Sequence, residues 1–201
     1  MKKDYIHKFE NAERRFLGEP IELREEGSRT ITGYAAVFNK DSEDMGGWVE
    51  RIAPGAFDDV LSDPAMVLFN HDPNLVLARN GVNATLSVDE VGLKYSYEAP
   101  NTTLGNDVLE LVRTKTIDKS SFAFTVKEQV RSAPENKGDK AIRTITKVAR
   151  LYDVSPVTYP AYPDTTVGQR CFDMDKREEE LRDVAIKTIE LELDLFKLKN
   201  N

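Results

Sequence analysis

Cysteine is almost absent from this chain. Cys171 is the only one, so no intrachain disulfide can form, and the simple expectation is a reducing compartment. It lies in a polar segment after the last apolar run and reads as a peripheral free thiol. Histidine is nearly as scarce, with His7 and His71 alone. A zinc site wants several His or Cys ligands, so a metal centre of that kind is not expected. No apolar run is long enough to span a bilayer. The opening MKKDYIHKFENAERRFLGEP lacks the apolar stretch of a signal peptide, so a protein working where it is made is expected. No glycine-rich loop follows a strand and opens a helix, as phosphate cradles do. Positive charge is in deficit, with a formal net charge of −7 and no basic stripe interleaved with aromatics. Neither nucleic acid nor membrane is therefore an expected partner.

The 201 residues carry 40% hydrophobic and 31% charged side chains, which suits one globular domain with polar tails. Residues 1–18 are charged and without strong periodicity, and read as a loosely held polar arm. From Ile21 short apolar alternations begin. Strands are predicted at 29–38, 48–52, 66–69, 75–79, 83–88 and 91–98, with a short helix at 54–63. Leu104, Val108, Leu109, Leu111 and Val112 fall at helical spacing and predict a helix over 103–115. Residues 120–130 alternate as a strand does, and 141–157 read as one or two strands. From about Met174, Leu181, Val184, Ile186, Ile189, Leu193, Phe196 and Leu198 mark an amphipathic helix. That tail, 169–201, is expected to pack on the domain, self-associate or dock a partner. The domain itself spans 19–168 and is predicted as α+β, an antiparallel β-rich, barrel-like fold with a few helices.

Reactive chemistry has few places to reside. His71 ends an apolar strand in the turn Asn70-His71-Asp72-Pro73, a rigid mount open to solvent, and imidazole moves protons near neutral pH. Turn chemistry alone explains its neighbours equally well. Ser121 opens a strand in which Phe122, Phe124 and Val126 share one face while Ser121, Ala123 and Thr125 share the other. A serine hydroxyl needs a base to become a nucleophile, and His71 is the domain's candidate. An ordinary strand serine is the plain alternative. Asp153 is an acid in the apolar run LYDVSPV and could orient the histidine, or pair with an arginine such as Arg150. Asp72 is next to His71, but neighbouring side chains in extended chain point apart.

Four segments, in order, resemble the tailed-phage prohead maturation serine protease family. GYAAVFNKDSEDMGGWVERIAPGAF (33–57) is similar to its opening block and LFNHDPNLVLAR (68–79) to its histidine block. SSFAF (120–124) is similar to its serine block and LYDVSPVTYPAYPDT (151–165) to its closing block. The resemblance implies the assemblin-like fold of herpesvirus proteases, a β-barrel surrounded by helices. It implies Ser121 as nucleophile, His71 as general base, Asp153 as third member, and no metal or cofactor. It further implies capsid and scaffold proteins as substrates, with the chain itself another possible one, inside the assembling prohead in the host cytoplasm. Lys115, Lys119 and Ala123 stand where the family often has glycine or another small residue. They motivate an alternative, a catalytically degenerate protease fold kept as a scaffold or assembly module.

Overall fold

Period-two alternation dominates the chain, and the computed structural model turns it into two β-sheets. The structure describes residues 12–16, 21–25, 27–134, 136, 138–159 and 187–188. The expected C-terminal helix, His7 and Cys171 lie outside the described residues. All elements below belong to the unit Met1–Asp164. In chain order they are β1 (Glu13–Arg15), β2 (Glu22–Leu23), β3 (Thr30–Val37), β4 (Trp48–Ile52), β5 (Met66–Leu68), β6 (Val76–Arg79), β7 (Ala84–Val88), β8 (Gly92–Glu98), α1 (Thr103–Arg113), β9 (Lys119–Ser132) and β10 (Ala141–Val157).

The first sheet has the order β1-β9-β10-β5-β6, with β4 also paired to β10, and the second has the order β2-β3-β8-β7. The expectation of an antiparallel barrel needs correction. β10 runs parallel to both β4 and β5, so the first sheet is mixed. Nor do the sheets close among the described residues. The consecutive strands β6 and β7 are the natural seam, but only the isolated bridge Asn80↔Ala84 joins them. The backbone there is spent on a turn instead, with Val82 and Asn83 N–H both donating to the Arg79 carbonyl (3.1 and 3.2 Å). The helical complement of this unit is also smaller than expected, since α1 is its one α-helix among the described residues. The helix expected at 54–63 shrinks to a 3-10 turn at Asp58–Val60. Gly55 has φ +83°, which no right-handed helix accommodates.

Residues inward from both sheets form one core. Ile31, Leu93, Tyr95 and Tyr97 of the second sheet share it with Phe122, Phe124, Ile145, Leu151 and Val154 of the first, and Val108 and Val112 of α1 join them. Phe122 stacks on Phe124 (ring centroids 4.8 Å) and meets Phe57 edge-on (5.8 Å). α1 starts at the N-cap Thr102, whose side chain accepts from Gly105 N–H, and ends in a Schellman turn. In that turn Thr116 N–H donates to Leu111 O (2.9 Å) and Lys115 N–H to Val112 O (3.0 Å). Lys115 occupies its left-handed position, with φ +55°. The arm expected to be loosely held is ordered at Glu13–Arg15, where β1 lies antiparallel on β9 with Glu13 and Arg15 buried.

Candidate active site

Two adjacent serines open β9, and alternation separates their roles. Ser120 faces the core, where its hydroxyl meets the Tyr95 phenol at 2.6 Å. Ser121 therefore faces the other way. Its cross-strand neighbour on β10 is Ser155, and Asp153 sits opposite Ala123. All four belong to one face.

Asp153 reaches that face because β10 carries a bulge. Leu151 pairs with Phe124, but the next pair is Asp153 with Ala123, leaving Tyr152 as the extra residue. Without it Asp153 would stand opposite Phe122, on the core side. The bulge lets Leu151 and Val154 both enter the core while Asp153 turns to Ser121. Its carboxylate is fully buried and accepts from the Ser155 hydroxyl at 2.7 Å.

The histidine arrives from the other side of β10. β5 pairs parallel with β10 through Met66↔Asp153 and Val67↔Val154, and the chain then turns at Asn70 and His71. Both have left-handed backbones, φ +54° and +55°. Non-glycine residues pay for that conformation with roughly 1–2 kcal/mol each. The turn is held from several directions. Asn70 N–H donates to Pro156 O (3.0 Å), Thr158 N–H donates to the Asn70 side-chain oxygen (2.9 Å), and Asp72 N–H donates to Phe69 O (3.1 Å). His71 is thereby placed across β10, only 5% exposed. Its Nδ1 is 2.5 Å from Asp153 Oδ1 and its Nε2 is 2.6 Å from Ser121 Oγ.

The three residues singled out in the sequence thus meet in one hydrogen-bonded chain, Asp153–His71–Ser121. Asp72 faces elsewhere and caps its own turn, accepting from Asn74 N–H at 2.9 Å. Arg150, the alternative partner for Asp153, lies over the Tyr152 ring instead (5.2 Å). With Asp153 accepting from Nδ1–H, the tautomer of a neutral imidazole is fixed and Nε2 accepts the serine proton. That arrangement fits a hydroxyl being readied for attack on a carbonyl.

The family model described as caudovirus prohead serine protease matches residues 19–180. This chain belongs to that family. No curated protein and no solved structure matches it. The matched residues contain His71, Ser121 and Asp153, and the family is one of serine proteases of phage head maturation.

Sequence reasoning missed three contributors. Ser155 is legible in hindsight as the residue two after Asp153 on the same strand face. Asn70 was read as a turn former, whereas its side chain ties the histidine turn to β10. The third is β1, which lies outside the matched residues. Ser121 Oγ is 3.0 Å from the Arg15 carbonyl oxygen, and Ser121 is fully buried beneath that strand. Glu13 and Arg15 also enter a buried ionic cluster with Glu50 and Arg143. Arg15 Nε donates to Glu50 at 2.7 Å, and Arg143 donates to Glu50 at 2.8 Å and to Glu13 at 2.8 and 2.9 Å. Arg15 also pairs with Glu13. Burial pushes the Glu13 carboxyl up, but Arg15 and Arg143 outweigh it and hold it at about 2. The sequence holds these charges among the apolar strand residues of WVERI and AIRTI, but nothing in it pairs them.

Proposed function

We propose that this protein is a serine endopeptidase that trims scaffold and capsid segments in the assembling prohead. Ser121 attacks the scissile carbonyl while His71 Nε2 takes its proton. Asp153 holds the ring in the required tautomer and stabilises the imidazolium that forms. His71 then passes the proton to the leaving amine and draws one from water to release the acyl-enzyme. The observation that carries this reading is the Asp153–His71–Ser121 chain of short hydrogen bonds inside a prohead serine protease family member.

A second reading is a catalytically silent assembly module, and the complete burial of Ser121 under β1 favours it. Labelling with a serine-directed fluorophosphonate discriminates the two. The protease reading expects a label on Ser121 that disappears in His71→Ala. Absence of label from the wild-type protein, with prohead proteins present as well as without them, supports the silent module.

A further inference from the structure

The strand that covers Ser121 is placed as a substrate would be. β1 runs antiparallel to β9 with Arg15 opposite Phe122, Arg14 opposite Ala123 and Glu13 opposite Phe124. Strand addition of this kind is how extended peptides dock on a sheet edge. The Arg15 carbonyl is the one brought against the nucleophile, 3.0 Å from Ser121 Oγ. Ser121 has one proton for two acceptors. In this state the hydroxyl donates to that carbonyl oxygen, and attack on the carbonyl carbon requires the proton to turn to His71 Nε2 and the carbonyl oxygen to swing away.

The side chains of β1 are received selectively. Arg15 lies between Glu13 and Glu50, and Glu13 between Arg15 and Arg143. Arg14 alternates to the other face, where its guanidinium reaches the His71 carbonyl at 3.5 Å. Glu50 and Arg143 pair with each other, and so do Glu13 and Arg15. The receiving pair is therefore neutral without the strand, and the arriving pair is neutral too. A buried site of that kind can exchange one acid-x-arginine strand for another without stranding a charge.

Resting on the protease reading above, we propose that the site selects extended peptides with an acid two residues before an arginine and cuts after that arginine. The chain's own Glu13-Arg14-Arg15 is such a substrate, and Arg15–Phe16 is its scissile bond. Ser121 Oγ adds to the Arg15 carbonyl carbon as its proton passes to His71. The Arg15–Phe16 C–N bond then breaks, and His71 protonates the new Phe16 amine. Water, deprotonated by His71, displaces Ser121 and leaves a carboxylate on Arg15. The released end is held by the same ionic cluster, so the arm restrains the enzyme until it leaves.

The test is intact mass and N-terminal sequencing of the full-length protein over time, alone and with prohead substrate proteins. The expected result is a product beginning at Phe16, absent from Ser121→Ala. Arg15→Ala should slow its appearance at least ~30-fold, the scale of losing a buried charge-assisted hydrogen-bond set, and Arg15→Lys should recover part of that loss. Ser121-dependent cleavage of prohead proteins with no product beginning at Phe16 overturns this inference and leaves the protease reading standing. Cleavage of prohead proteins that persists in Ser121→Ala overturns the protease reading itself. A Phe16 product forming equally fast in Arg15→Ala overturns the specificity.

Discussion

Two buried polar assemblies flank the same stretch of β9, and they solve the problem of buried polarity differently. Around Ser121, one carboxylate, one imidazole and two hydroxyls form a linear chain across β9, β10 and the turn after β5. Around Arg15, two guanidinium groups and two carboxylates form a closed, electroneutral cluster from β1, β4 and β10. The first is mounted on strained backbone and lines up a carboxylate, an imidazole and a hydroxyl, so a proton has a path along it. The second has every charge opposed by one of the other sign. A linear chain suits proton transfer, whereas a balanced cluster suits holding a strand in place. The contrast is sharpest in what each tolerates losing.

The largest effect expected is at Asp153. Asp153→Asn keeps the shape but no longer enforces the Nδ1–H tautomer, so kcat should fall by about 10³–10⁴ with little change in KM. Steady-state kinetics on a peptide substrate checks this. The cluster should instead answer in stability. Arg143→Ala leaves two buried carboxylates facing one arginine, and should cost about 3–5 kcal/mol in a denaturant titration. The double change Glu13→Ala with Arg15→Ala removes a neutral pair and leaves Glu50 bonded to Arg143. It should cost less than half as much. Equal losses would break the distinction between removing a charge and removing a pair.

Acid sharpens the same comparison. The Glu13 carboxyl is held at about 2 against an ordinary 4.5. Its contribution is full above pH 4.5 and is lost as pH falls towards 2, because the unfolded chain takes up the proton first. Melting curves between pH 5 and pH 2 should therefore fall less steeply in Glu13→Gln than in the wild type. The smallest effect lies away from both assemblies. Lys115→Gly relieves the left-handed position after α1 and should stabilise the fold by about 1 kcal/mol.

Much of this molecule was legible before the structure. Strands β3 to β10 fall where alternation put them, and α1 where its apolar spacing put it. His71, Ser121 and Asp153 were singled out by the scarcity of histidine and by four ordered motifs. Barrel closure was not legible. It depends on whether β6 and β7 ladder together, and the Arg79–Asn83 turn that parts them leaves no apolar pattern. The parallel pairing of β10 with β4 and β5 depends on chain direction, which alternation does not encode. The bulge at Tyr152 was written as the three-residue gap between core positions Leu151 and Val154. The ionic cluster was hidden for a different reason. A lone charge in a strand reads as solvent-facing until its partners, 35 to 130 residues away, are brought beside it.

The central claim is that Ser121 performs peptide-bond cleavage with His71 as its base. Co-expression with the neighbouring capsid and scaffold proteins, followed by mass analysis of the fragments, tests it most directly. Wild-type protein should yield processed fragments, and folded Ser121→Ala protein should yield none. The same fragments at the same rate from Ser121→Ala would contradict the account.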